Sequence, residues 1–181
     1  MLKPLVVISG AAALVASAEA TGHPVEPSQF VATEKPYAPY EFLIGDWSSR
    51  LESDKVTIRQ QFKWGPDHSY INYATYMTPD GHPEELHFEG MMVWNGKSKA
   101  LDFLFAVAPG SGVEEKGTVT AQSDGAVVRD VELTDAAGKS GRFRQTFRKG
   151  ADGTIVTSVM RQTEKGWETS PPGEIVMARR P

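Results

Sequence analysis

The chain has 181 residues, 40% hydrophobic and 23% charged, the composition of a soluble globular domain and not of a disordered segment or a coiled coil. Nineteen Lys and Arg against 23 Asp and Glu give a net charge of −4, which leaves no basic excess to neutralise a phosphate backbone and argues against a nucleic-acid partner. The length suffices for one sizeable core, and the absence of cysteine rules out a disulfide scaffold.

Lys3, the apolar stretch from Leu5 to Val15 and Ala18-Glu19-Ala20 supply the basic start, apolar middle and A-x-A site of a signal peptide over residues 1–20. The apolar run is shorter than the roughly 20 residues that a membrane-spanning helix needs. An exported chain without Cys carries no lipid-anchoring cysteine. The expectation is a free periplasmic or secreted protein with no membrane anchor, a monomer or a homodimer. Residues 21–39 carry Pro24, Pro27, Pro36 and Pro39 among Glu, Thr and Ser, which predicts a flexible extended leader.

From Tyr40 to Pro181 no apolar stripe of helical period lasts three turns, and period-2 alternation takes over. Val56, Ile58, Gln60, Phe62 and Trp64 alternate with Thr57, Arg59, Gln61 and Lys63, the pattern of a half-buried strand. With the segment Asp46 to Ser53 before it, further strands are predicted at Ser69 to Met77, Leu86 to Trp94, Ala100 to Val107, Val113 to Ala121, Ala126 to Leu133, Gly141 to Arg148, Thr154 to Thr163 and Gly173 to Arg180. Between them stand Pro79-Asp80-Gly81, Asn95-Gly96, Asp124-Gly125, Ala137-Gly138, Asp152-Gly153 and Lys165-Gly166, pairings that tolerate positive φ in tight hairpins. About ten strands joined by hairpins make an antiparallel up-and-down meander, which avoids exposed edges by closing into a β-barrel. A β-sandwich is the alternative.

Tyr40-Glu41-Phe42-Leu43-Ile44-Gly45-Asp46-Trp47, placed just before the meander, resembles the start of a lipocalin-like (calycin) barrel, where a short helical turn leads into G-x-W on the first strand. The likeness covers Tyr40 to Pro181 and is closest to the bacterial lipocalin-like domains of unknown function, related in shape to nitrobindins and fatty-acid-binding proteins. It implies a ligand cavity and no particular activity. It also implies that Gly45 and Trp47 close the barrel with a basic residue of the last strand. Arg179 and Arg180 are the candidates, and Arg179 is preferred because Ile175 and Met177 share its face. The haem pocket of nitrobindins uses a His near the C-terminus; no His follows His87 here, so no cofactor is carried over.

Phe88, Met92 and Trp94 share a face with Gly90, and Phe103 and Phe105 share one with Leu101 and Val107. With Trp64, Tyr70, Tyr73, Tyr76 and Met160 they offer the aromatic and flexible apolar surface that lines small-molecule pockets. A ten-strand barrel is wide enough to leave such a space, and the expected partner is a small hydrophobic or amphipathic molecule. The other two readings are a cofactor-independent isomerase or cyclase and a filled barrel acting as a protein-interaction module. His87 and Arg161 complete the cavity candidates, and with Tyr73 and Glu89 they would carry proton transfer in the first of these, but no nucleophile-elbow or triad spacing supports a catalytic set.

The run His82-Pro83-Glu84-Glu85-Leu86-His87 does not match a metal-site spacing and reads as a solvated hairpin; no metal is expected. Arg142, Arg144 and Arg148, near Arg161, read first as an outer strand face paired with Asp130 and Glu132. Their alternative role is to meet an anionic head group at the barrel mouth.

Overall fold

The computed structural model describes residues 36–107 and 110–181. The signal peptide expected over 1–20 and the leader up to residue 35 lie outside the described residues. The chain enters through a 3-10 turn, Ala38–Leu43, and continues as ten strands. These are β1 (Gly45–Leu51), β2 (Val56–Trp64), β3 (Ile71–Pro79), β4 (Glu85–Asn95), β5 (Ala100–Val107), β6 (Val113–Ala121), β7 (Val127–Thr134), β8 (Ser140–Lys149), β9 (Ile155–Thr163) and β10 (Gly166–Arg179). Each strand pairs antiparallel with the next, and β10 returns to β1, so the sheet is a closed barrel and not a sandwich.

Turn chemistry sets the hairpins. At Asp124-Gly125 the glycine takes φ +82°, while Asp124 Oδ1 accepts the Ala126 N–H at 3.0 Å, the local bond that makes Asp-Gly a turn. The last strand is longer than the sequence predicts: it starts at Gly166, not Gly173. Its register shifts between Thr169 and Glu174, and Pro171-Pro172 sits in that irregular stretch, where a missing N–H costs no ladder bond. The prolines thus interrupt the pairing without ending the strand.

One end of the barrel is solid. Phe62, Ile71, Met92, Leu101, Val119, Val127, Phe147 and Ile155 are fully buried there, beneath the 3-10 turn that inserts Tyr40 and Leu43. The Tyr40 hydroxyl donates to Val119 O at 3.1 Å and accepts the Ala121 N–H at 3.3 Å, fixing the turn to β6. Tyr37, in the last part of the expected leader, is also ordered. Its hydroxyl donates to Ser69 O and accepts the Trp94 N–H, and its ring meets Trp64 edge-on at 5.6 Å.

The seam between β1 and β10 is narrow, Trp47 opposite Arg179 and Ser48 opposite Ala178. Trp47 Nε1 donates to Leu43 O at 2.7 Å, and the Arg179 guanidinium stacks 4.7 Å from the Trp47 ring centroid while donating to Ile44 O at 2.8 Å. Gly45 has φ +152°, and a Cβ there would lie 3.0 Å from Arg179 Cζ. The glycine leaves the space that the guanidinium fills. Replacing Arg179 with Ala should cost about 1 kcal/mol of stability by urea denaturation, the scale of an accessible cation–π contact. Gly45→Ala should also destabilise, because strain and the displaced arginine add.

On the outer face beside this seam, Arg59 donates to Asp46 Oδ2 at 3.0 Å and to Glu84 Oε2 at 2.9 Å, with its guanidinium 3.8 Å from the Tyr76 ring centroid. The hydrogen bond from Arg59 holds the Glu84 carboxyl below its ordinary value. A depressed carboxyl contributes stability above its unfolded pKa and loses it as the pH falls through the folded one. Glu84 is partly exposed, so the contribution should not exceed about 1 kcal/mol. Thermal melts from pH 7 down to pH 3 should show a shallower acid limb in Glu84→Gln than in the unmodified protein.

Candidate functional site

Inward positions on β2 and β3 face each other in register: Ile58 opposite Met77, Gln60 opposite Thr75, Phe62 opposite Tyr73. The half of the barrel away from the 3-10 turn is not filled. It holds a cavity of about 260 Å³, larger than the roughly 150 Å³ that takes up a benzene. Ile58, Met77, Phe88, Leu133, Phe143, Val159, Ile175 and Met177 form its apolar walls.

A polar cluster crosses that apolar space. Glu115 of β6 and Arg129 of β7 pair inside the barrel, Oε2 to Nη1 at 3.2 Å, with side chains only 5% and 10% exposed. Arg129 lies opposite Val119, and Glu115 lies opposite Leu133. The inward position between Val119 and Glu115 is Gly117, which bears no side chain, so the arginine reaches along the strand to the carboxylate. Phe103 of β5, opposite Gly117, lies 4.9 Å beneath the Arg129 guanidinium. The Tyr73 hydroxyl accepts from Gln60 Nε2 at 2.9 Å and from Thr75 Oγ1 at 3.0 Å. Gln145 Nε2 donates to Thr157 Oγ1 at 2.9 Å. Burial pushes the Tyr73 phenol above its ordinary value, so it is neutral at physiological pH. Two buried atoms of this cluster, Gln60 Oε1 and Arg129 Nε, have no hydrogen-bond partner; leaving such an atom unmet costs about 1–3 kcal/mol.

Of the residues expected at the cavity, Tyr73 and Phe88 line it. Met92 and Phe103 are buried in the core. Trp64 and Trp94 pack at the solid end, by Tyr37. Tyr70 lies against Gly65, where a Cβ would meet its ring. Tyr76 is on the opposite face of β3 from Tyr73 and Thr75, against Arg59, since adjacent parity cannot put Tyr73 and Tyr76 on one side. Met160 pairs with Arg144 on the outer face of β9. The backbone of Phe105 lies opposite Gly90 and Glu115, and its side chain is outside the described residues.

The proton-transfer candidates do not converge. His87 falls in a β-bulge, between the Thr75–Phe88 and Tyr76–Leu86 pairs, and Glu89 and Arg161 are exposed. Arg144 is bound by Asp130 through two hydrogen bonds of 2.8 and 3.1 Å and stacks on Trp167, and Arg142 stands opposite Glu132 in register. In the His82 to His87 run Glu84 is taken up by Arg59. Among the described residues no three His, Asp or Glu side chains are grouped to hold a metal.

The polar members of the cavity, Gln60, Thr75, Glu115, Arg129, Gln145 and Thr157, escaped the sequence reading. Their signal was parity: Arg129 alternates in step with Val127, Val131 and Leu133, and Glu115 with Val113 and Val119. A charge at an apolar position is the mark of an inward polar group. Fold and cavity together define an antiparallel ten-strand barrel with a small internal pocket. A scan against protein-family models finds no match, and a search of the curated proteins finds none either.

Arg129→Met leaves Glu115 as an unpaired buried charge and should lower unfolding stability by about 3–5 kcal/mol. The double variant Glu115→Leu with Arg129→Met should recover most of that loss, as measured by denaturant unfolding.

Proposed function

We propose that this protein is an exported lipocalin-like, calycin-type barrel that binds a small amphipathic molecule in its cavity. The observation that carries the reading is an apolar-walled cavity of about 260 Å³ whose lining also holds the paired Glu115 and Arg129 and the uncharged polar side chains of Gln60, Tyr73, Thr75, Gln145 and Thr157. A barrel selected only for stability would fill this space with side chains. The G-x-W start, the Trp47–Arg179 contact and the unbroken strand order support the calycin assignment. Export rests on residues 1–20. The part of the ligand held inside the cavity is small, of the size of a substituted benzene or a short aliphatic chain.

Indole is a suitable probe, since its size matches the cavity. In protein labelled at the methionine methyls, indole should cause saturable NMR shifts at Met77 and Met177, which line the cavity, and leave Met91, exposed on β4, unmoved. Val159→Phe, which fills the space, should abolish the response while the far-UV circular dichroism stays the same. Unshifted Met77 and Met177 signals at millimolar indole would refute the reading.

A further inference from the structure

Charge balance and hydrogen-bond valence within the cavity define what kind of polar group its occupant carries. Arg129 is the one cationic side chain among the lining residues, and Glu115 is the one anionic side chain. They are paired with each other, so the interior is neutral as a whole. The remaining polar lining residues, Gln60, Tyr73, Thr75, Gln145 and Thr157, carry no charge. A carboxylate entering toward Arg129 would give up its hydration and meet the Glu115 carboxylate beside the same guanidinium, a repulsion that the low-dielectric interior strengthens.

The uncharged lining groups offer both kinds of valence: the amides of Gln60 and Gln145 and the hydroxyls of Thr75, Thr157 and Tyr73 can each donate and accept. Gln60 and Arg129 both adjoin Tyr73, Gln60 through its hydrogen bond to the phenol and Arg129 with its guanidinium 5.7 Å from the ring centroid. Ile58, Met77, Phe88 and Val159 supply an apolar wall for the rest of the molecule. Resting on the ligand-binding reading above, we propose that the occupant is uncharged and carries a group that both donates and accepts, a hydroxyl or a primary amide on a small apolar body, and that the paired Glu115 and Arg129 select it over a free carboxylate.

Four probes of one shape separate the possibilities: toluene, benzyl alcohol, benzamide and benzoate, titrated at pH 7 into the full-length protein with the same methionine readout. Benzyl alcohol and benzamide should bind at least about tenfold more tightly than toluene and than benzoate, a preference of about 1.4 kcal/mol. Gln60→Leu keeps the ion pair intact and should bring the alcohol and amide down to the affinity of toluene. Glu115→Gln leaves Arg129 without its counter-charge and should raise benzoate affinity about tenfold. If that variant does not fold, Gln60→Leu still decides the matter. Benzoate binding as tightly as benzyl alcohol, or an alcohol preference unchanged in Gln60→Leu, would overturn the proposal while indole binding leaves the cavity reading in place. Failure of all four probes together with indole would overturn both.

Discussion

A meander of ten antiparallel strands has two unpaired edges, and everything inside this protein depends on their meeting. The first and last strands share only the Trp47–Arg179 and Ser48–Ala178 positions, the narrowest pairing in the sheet. Side chains reinforce what the ladder lacks, through the guanidinium on the indole, its bond to Ile44 O and the Trp47 bond to Leu43 O, and one more backbone bond runs from Arg180 N to Asp46 O at 2.8 Å. Leu43 ends the 3-10 turn and Ile44 caps it, so the contacts that close the sheet also hold the turn across the barrel end. An open sheet would expose the inward polar cluster to water, and the cavity would lose its chemistry.

The two halves of the interior are built on different principles. The sealed half is close-packed from aromatic and aliphatic side chains, as a stable core requires. The other half keeps an ion pair, two amides, two hydroxyls and a phenol among apolar walls. A buried ion pair is a weak source of stability, since desolvation offsets much of its attraction. Its value here lies in direction: Glu115 fixes the Arg129 guanidinium over Phe103 and leaves one N–H of that guanidinium unbonded. Stability from one end thereby supports a polar arrangement at the other that contributes little to folding.

Strand order was legible in the sequence because side-chain parity and turn residues are local properties. Nine of the ten strands start within two residues of their predicted positions. The tenth begins seven residues before its predicted start, at Gly166, because the register shift between Thr169 and Glu174 accommodates Pro171-Pro172 within the strand. The candidate site was only partly legible. Tyr73 and Phe88 followed from large residues at inward positions, but collecting aromatic and flexible apolar side chains as a group also drew in Tyr70, Tyr76 and Met160, which the barrel turns to other surroundings. Glu115 and Arg129 were passed over because charges were read as outward by default.

By itself the sequence determined the all-β class and the hairpin order, because period-2 alternation and Asp-Gly turns act over a few residues, while the closing role of Gly45 and Trp47 followed only from the resemblance of Gly45-Asp46-Trp47 to a lipocalin-like start. Only the tertiary structure decided which inward residues surround a space and which fill one. That depends on strand tilt and on positions distant along the chain, such as Gly117 making room for Arg129 to reach Glu115. Interior volume and charge pairing belong to the closed barrel and to no single strand.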